Sequence, residues 1–275
     1  MILLADAGNS RLKWAFYSAG KRSKQFAQDY SQDSADILLI NLLTKTATSS
    51  DHAIVKLILV SVLGEDFAKK IEDSCQKLKI KQYIIRSQTK SYGVSNAYIE
   101  PSRLGADRFL GMITAHHLIP NRHCIIISCG TAVTIDALTA EGKHLGGLIL
   151  PGLAQFSNQL IQKASLLTLE NTTKISLFAN NTADALASGR VYGLVEAING
   201  ISSRMEVELL KMNDLRGKSK IMYPVKIILC GGDANILQPY LNQSTQREDD
   251  WLMQGLQLIA EFSTSKSITK PSVAE

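Results

Sequence analysis

The sequence predicts an α/β protein of two domains, each a mixed sheet flanked by helices. Three short apolar runs, Ile2 to Ala5, Cys124 to Ile127 and Val225 to Leu229, each end in a turn of glycine and small polar residues. Apolar runs of strand length bounded by glycine read as buried strands. Between them lie segments whose apolar residues recur at helical spacing, and strands mixed with helices point to an α/β architecture. At roughly 150 residues per domain, a chain of 275 residues suggests about two domains.

The first run continues into Asp6-Ala7-Gly8-Asn9-Ser10 and then into extended-looking Leu12 to Tyr17, a β-hairpin with its polar residues on the bend. Leu57 to Leu63 is another strand-length apolar stretch, far below the roughly 20 residues that span a bilayer. Asp66 to Leu78 is helical, with Phe67, Ile71, Cys75 and Leu78 on one face. Leu104 to Leu118 is a second helix. Pro120-Asn121-Arg122 is a turn and the candidate boundary between halves. The hairpin design then repeats: Cys124 to Ile127, the bend Ser128-Cys129-Gly130-Thr131, and Val133 to Leu138. Each half therefore begins with a glycine-bearing hairpin, an internal repeat. Asp184 to Leu210 reads as one long helix or two in series, and Val225 to Leu229 runs into Cys230-Gly231-Gly232-Asp233-Ala234. In Asp250 to Phe262, Leu252, Leu256 and Ile259 share a stripe, with Asp249 and Asp250 suited to the helix start. The expected domains are residues 1–119 and 120–262. The tail 263–275, rich in Ser, Thr, Lys and Pro, is expected to be disordered.

A composition of 45% hydrophobic and 20% charged residues is that of an ordinary globular chain. The net charge of +5 comes without a dense basic stripe, which argues against nucleic acid as a partner. Lys21-Arg22 with Lys24, and Arg216 to Lys220, read as solvated surface or loop. A mildly positive protein suits anionic ligands. Cys75, Cys124, Cys129 and Cys230 form no CxxC pair and read as buried reduced thiols. On a helix His116 and His117 point about 100° apart, so no zinc site is expected from them. Met1-Ile2-Leu3-Leu4-Ala5 reaches Asp6 without a basic leader, unlike a signal peptide. A soluble cytosolic protein with no membrane association is the expectation.

Chemistry is carried at four places. In the first bend, Gly8 lets the backbone approach a ligand with no Cβ in the way. Its N–H groups, with Asn9 and Ser10, can bond phosphate oxygens. Asp6 can hold Mg²⁺ through water, and Lys13 adds positive charge near the phosphates. As a bare pattern, Asp-x-Gly-Asn is more often a simple turn than a phosphate site. The second bend offers the amide and hydroxyl of Gly130-Thr131, with Asp136 on the next strand, and Gly231-Gly232 offers flat backbone for an adenine or ribose. Leu104-Gly105-Ala106-Asp107-Arg108 sets a carboxylate beside a guanidinium at a helix start. Asp107 can accept a hydroxyl proton and Arg108 can clamp an anion. The alternative there is a dipole-favoured helix Asp with a surface ion pair. Neither a Walker-type P-loop nor a Gly-x-Gly-x-x-Gly fingerprint is present.

Two phosphate-type hairpins followed by a Gly-Gly turn form the layout of the actin-like ATPase superfamily, built of two ribonuclease H-like domains. Within it the chain resembles the type III pantothenate kinases, the bacterial enzyme class that opens coenzyme A synthesis. The matching stretches are DAGNSRLK (Asp6 to Lys13), NAYIEPSRLGADR (Asn96 to Arg108), GTAVTID (Gly130 to Asp136), GGLILPG (Gly146 to Gly152), NTADALASGRVYG (Asn181 to Gly193) and GGDA (Gly231 to Ala234). The resemblance implies ATP-dependent phosphorylation of pantothenate to 4'-phosphopantothenate. It assigns Asp6, Ala7, Gly8, Asn9, Ser10, Arg11, Leu12, Lys13 and Thr131 to ATP, with Mg²⁺ organised at Asp6. It assigns Tyr98, Gly105, Ala106, Asp107, Arg108 and Thr182 to pantothenate, with Asp107 as general base. By their residue patterns alone, Tyr98 reads as a core aromatic and Thr182 as a helix N-cap. The family forms homodimers, and Thr182 is the residue expected to reach across. Many members carry Asp at the position of Ser128, where it helps bind K⁺ or NH₄⁺. A serine hydroxyl is a weaker ligand, so dependence on such a cation is expected to be altered or lost. Rival readings are a kinase of another small alcohol and a catalytically weak regulatory relative.

Overall fold

The computed structural model describes residues 1–31, 34–47, 53–156, 174–214, 224–242 and 244–264. They form two compact units: Met1–Leu118 together with the chain from Asp250 onward, and Ile119–Asp249. The basic cluster at Arg216 to Lys220 lies outside the described residues, as does the expected tail beyond Thr264.

In the first unit, β1 (Ile2–Ala7) and β2 (Arg11–Ser18) form the predicted hairpin, followed by β3 (Lys21–Arg22), β4 (Phe26–Asp29) and α1 (Ala35–Ala47). Then come β5 (Lys56–Ser61), α2 (Gly64–Lys77), β6 (Lys81–Ile84), a short hairpin of β7 (Lys90–Ser91) and β8 (Val94–Ser95), and α3 (Ala106–Leu118). The sheet order is β3-β2-β1-β5-β6, with β4 also on β2. β1 runs antiparallel to β2 and parallel to β5, and β5 is parallel to β6. A strand flanked on both sides and covered on both faces reads as a continuous apolar run, and Leu3, Leu4 and Ala5 are fully buried. One face packs on Leu39 and Leu43 of α1 and on Phe67, Ile71 and Cys75 of α2, the predicted helical stripe. α2 begins two residues before the expected Asp66, because Gly64 takes φ +81° and turns the chain into the helix.

The second unit repeats the plan. Its strands are β9 (Cys124–Cys129), β10 (Ala132–Leu138), β11 (His144–Pro151), β12 (Lys226–Cys230) and β13 (Thr245–Glu248). Their order is β11-β10-β9-β12-β13. β10 is antiparallel to β9 and β11, whereas β9, β12 and β13 run parallel. Both sheets thus place antiparallel hairpin strands on one side of a central strand and two parallel strands on the other, as the internal repeat predicts. α4 (Thr182–Asp214) is one helix of 33 residues. Val191, Leu194, Val195 and Ile198 bury it against Ile125, Ile127, Val133 and Ile135 of the sheet. A four-residue α5 (Ala234–Leu237) follows the Gly-Gly turn.

The last helix, α6 (Trp251–Thr264), corrects the expected domain limits of 120–262 and 263–275. It belongs to the first unit, and Ser263 and Thr264 complete it rather than starting a tail. Trp251 Nε1 donates to the Gly111 carbonyl of α3 at 3.1 Å, and a Cβ on Gly255 would collide with Thr114 and Leu110. The apolar face of α6, including Trp251, Leu256 and Ile259, is buried, whereas Leu252 is half-buried. Arg22 is likewise not solvated. It bonds Asp250, and its Nε donates to Gln257 Oε1 at 3.0 Å. All four cysteines are buried and free, and burial pushes the Cys124 thiol up to about 12. Among the described residues no helix is long and apolar enough to cross a membrane.

Candidate active site

The β1–β2 bend is closed by Gly8 N–H donating to the Arg11 carbonyl at 3.1 Å. Tyr30, just beyond β4, pins it from outside. The Tyr30 hydroxyl donates to the Gly8 carbonyl, and its N–H donates to the Ser10 carbonyl at 3.0 Å. Asn9 and Ser10 stand exposed on the bend. Asp6 and Lys13 are register partners across the hairpin. Burial raises the Asp6 carboxyl to about 6, the Lys13 charge opposes the rise, and the Asp107 charge adds to it. That coupling gathers Asp6, Lys13 and Asp107 into one electrostatic group. Ala7 and Leu12 point into the core, and Arg11 is held in an exposed ion pair with Asp29.

Asp107 and Arg108 lie in the first turn of α3. Ahead of them a single-turn 3₁₀ helix, Pro101–Arg103, bends the chain. Asn96 staples this loop: its Oδ1 accepts Tyr98 N–H at 3.0 Å and its Nδ2 donates to the Pro101 carbonyl at 3.0 Å. Arg108 is buried, donates from Nη1 to the Tyr98 hydroxyl at 2.8 Å and lies 5.7 Å from the centre of its ring. Arg108 is therefore not at the surface, and Tyr98, only half-buried, is no core aromatic. Asp107 Oδ1 accepts Arg108 N–H at 2.8 Å, and a Cβ on Gly105 would sit 2.5 Å from the same oxygen. A side chain at 105 would force that carboxylate to shift.

In the second unit Gly130 N–H donates to the Ala132 carbonyl at 3.0 Å, leaving Thr131 exposed on the bend. Two glycines press on this bend. A Cβ on Gly152 would strike the carbonyls of Gly130 and Thr131, and one on Gly231, at φ +98°, would strike the main chain of Cys129. Ser128 is half-buried in β9, in register with Thr134 and Cys230. Asp136 is buried against His144, whose Nε2 lies 3.0 Å from Oδ1, a pairing inside the sheet. Thr182 is exposed at the start of α4 but is not its cap. Asn181 caps the helix, accepting Asp184 N–H at 2.9 Å and donating to the Asp184 carboxylate at 2.8 Å.

A family model described as type III pantothenate kinase matches residues 2–204. The chain belongs to the type III pantothenate kinase family. It is 32% identical over 272 residues to the type III pantothenate kinase of Nitrosococcus oceani, covering 97% of this chain and 96% of that one. With the type III pantothenate kinase of Laribacter hongkongensis it shares 31% identity, over 96% of this chain and all of that one. A crystal structure described as a conserved putative Baf family transcriptional activator from Campylobacter jejuni superposes with a TM-score of 0.56. At 21% identity, over 95% and 98% of the two chains, that likeness is one of fold alone. Tyr30 and Asn96 hold the pantothenate kinase motifs in shape, yet no pattern in the sequence marks Tyr30. Asn96 opens one of the matching motifs without a role of its own.

Proposed function

We propose that the chain transfers the γ-phosphoryl group of ATP directly to the primary hydroxyl of pantothenate, with Asp107 as general base. The observation that carries this reading is the family match over residues 2–204, supported by the Arg108–Tyr98 pair at the start of α3 and by the Asp107 charge acting on Asp6. Phosphoryl transfer asks mostly for positioning and charge stabilisation, and each group has a place in that scheme. Backbone N–H groups of the Gly8 bend, with Asn9, Ser10, Lys13 and Thr131, bind phosphate oxygens. Ala7 and Leu12, whose side chains are core, contribute main chain only, and Arg11 contributes through its backbone while Asp29 holds its guanidinium. Arg108, steadied by Tyr98, clamps the pantothenate carboxylate. Gly105 and Ala106 leave room beside the base, and Asp107 takes the hydroxyl proton.

Asp6 fits Mg²⁺, because a partly buried carboxylate with a raised pKa and a second carboxylate acting on it gains from a divalent cation. When bound with ATP, Mg²⁺ neutralises charge on the transferring phosphoryl group. Ser128 fits K⁺ or NH₄⁺ poorly, since it brings one neutral hydroxyl with Thr134 and Cys230 as its register neighbours. A homodimer accords with Leu177 at 71% and Phe178 at 93% exposure just ahead of Thr182, large apolar side chains that a second copy would cover. Thr182 would then face the partner's pantothenate.

The test is ADP release with ATP and Mg²⁺ against pantothenate, pantothenol and a sugar, each in K⁺ and in a non-coordinating cation. Turnover is expected with pantothenate, poor turnover with pantothenol, which lacks the carboxylate, and none with the sugar. Rates are expected to be equal in the two salts. Equal use of pantothenol would remove Arg108 as a carboxylate clamp, and strong K⁺ stimulation would overturn the reading of Ser128.

A further inference from the structure

The β7–β8 hairpin turns through Tyr92 and Gly93, which take φ +48° and +81°. Glycine adopts such a conformation freely, whereas a bulky aromatic residue there is strained and persists only where its surroundings fix it. The Tyr92 ring stacks on Phe262 of α6 at 5.6 Å between centres, and its hydroxyl donates to the Tyr83 hydroxyl at 3.2 Å. His117 lies tilted against the same Phe262 ring at 4.9 Å, with its Nε2 2.9 Å from the Tyr92 carbonyl. A carbonyl only accepts, so His117 Nε2 carries the proton. Gly93 presses on the neighbouring ring, since a Cβ there would sit 2.6 Å from His116 Nε2. Burial and the His117 charge lower the His116 pKa, so that ring packs on the turn uncharged at neutral pH.

Both histidines lie in the last turn of α3, and Asp107 and Arg108 lie in its first. Helical rise sets His117 about 14 Å along the axis from Arg108, too far to bond the group that Arg108 holds. The hairpin joins the two ends. β8 runs from the turn into Asn96, whose N–H donates to the Thr89 carbonyl at 2.9 Å and closes the hairpin's base. The Asn96 side chain then fixes Tyr98 N–H and the Pro101 carbonyl, and the Tyr98 hydroxyl receives Arg108. The loop that carries Tyr98 is thus held at one end by α3 itself and at the other by a hairpin whose tip is bonded to α3. Packing alone would ask only for an aromatic residue at 117; what calls for histidine is the N–H that meets the Tyr92 carbonyl. We infer that His117 is a positioning residue for pantothenate: by holding the Tyr92–Gly93 turn on α3 it sets Tyr98 against Arg108, and so the fit of the substrate carboxylate. The inference rests on the proposed function in placing pantothenate at Arg108.

The test is steady-state ADP release with pantothenate and ATP varied in turn, for wild type, His117→Phe and His117→Gln, beside hydrogen exchange of the wild-type chain with and without pantothenate. His117→Phe keeps an aromatic ring against Phe262 and removes the N–H. It is expected to raise the KM for pantothenate about 5- to 10-fold, the scale of one hydrogen bond. Its kcat and its KM for ATP are expected to stay within about twofold of wild type. His117→Gln again offers an N–H and is expected to bring the KM for pantothenate back to within about twofold of wild type. Binding and docking act on each other reciprocally, so pantothenate is expected to slow exchange of the Tyr92 to Ser95 amides about 5-fold or more. Should His117→Phe not fold, that exchange decides, and exchange indifferent to pantothenate overturns the inference. An unmoved KM for pantothenate in His117→Phe overturns it too. Equal rises in both KM values would mean that His117 supports the unit at large, and failure of His117→Gln to restore the fit would mean that the N–H is not what acts; either result overturns the inference. Normal wild-type turnover with an indifferent His117→Phe overturns this inference alone, whereas wild type without pantothenate turnover overturns the proposed function and this inference with it.

Discussion

Asp6 is held between stability and use. Burial raises its carboxyl to about 6, above the ordinary value near 4, and Lys13 only partly offsets this. Between those values the apo folded chain holds more protons than the unfolded chain, so this residue's contribution to stability falls as pH rises from about 4 through about 6. Above that range the folded chain carries a disfavoured carboxylate. Asp6→Asn is therefore expected to make the apo protein more stable than wild type at pH 7.5 while removing ATP turnover. The gain should vanish below about pH 4, where the wild-type carboxyl is protonated in both states. Urea denaturation of both proteins across pH checks this, and a less stable variant at pH 7.5 would contradict it. Arg108 shows the opposite economy, since burial and a 2.8 Å bond to Tyr98 hold its fork in one orientation before any substrate arrives.

The elements differ in how plainly the sequence shows them. The β1–β2 and β9–β10 hairpins are legible because apolar runs meet glycine bends, and α2 because Phe67, Ile71 and Cys75 bury one stripe. Less visible is β11, whose Gly146 and Gly147 interrupt the strand pattern where Gly146 takes φ +114° beside a bulge. The β7–β8 hairpin is missed too, being two residues per strand. Of the candidate site, the bends and the Asp107-Arg108 pair could be read directly. Tyr98 entered through resemblance, because a lone tyrosine in a loop has no period to betray it. Tyr30 escaped altogether, since its role depends on β4 folding back onto β2. That tertiary role is testable. Tyr30→Phe removes the hydroxyl from the Gly8 carbonyl, a change worth about 1 kcal/mol. It is expected to raise the KM for ATP about fivefold with the KM for pantothenate unmoved. Equal rises in both would mean that Tyr30 supports the unit at large and not the bend.

At the scale of the molecule, two sheets share one strand plan, yet the chain does not divide into consecutive halves. α6 returns to the first unit because Trp251, Leu256 and Ile259 bury there and Gly255 admits close approach to α3. The helical stripe was readable in sequence, but its destination was not, since periodicity says which face is buried and not against what. Gly255→Ala places a Cβ against Thr114 and Leu110, and such overpacking typically costs about 1–3 kcal/mol. The melting temperature should fall by at least ~2 °C; an unchanged melt would mean that α6 packs loosely.

The most direct test of the central claim, that Asp107 is the base for phosphoryl transfer to pantothenate, compares ADP release by wild type and Asp107→Asn with ATP, Mg²⁺ and pantothenate. Pantothenate-dependent turnover is expected in wild type, lowered by about 10²- to 10⁴-fold in the variant, with pantothenate binding by calorimetry retained. Turnover in Asp107→Asn within a few-fold of wild type would contradict the account.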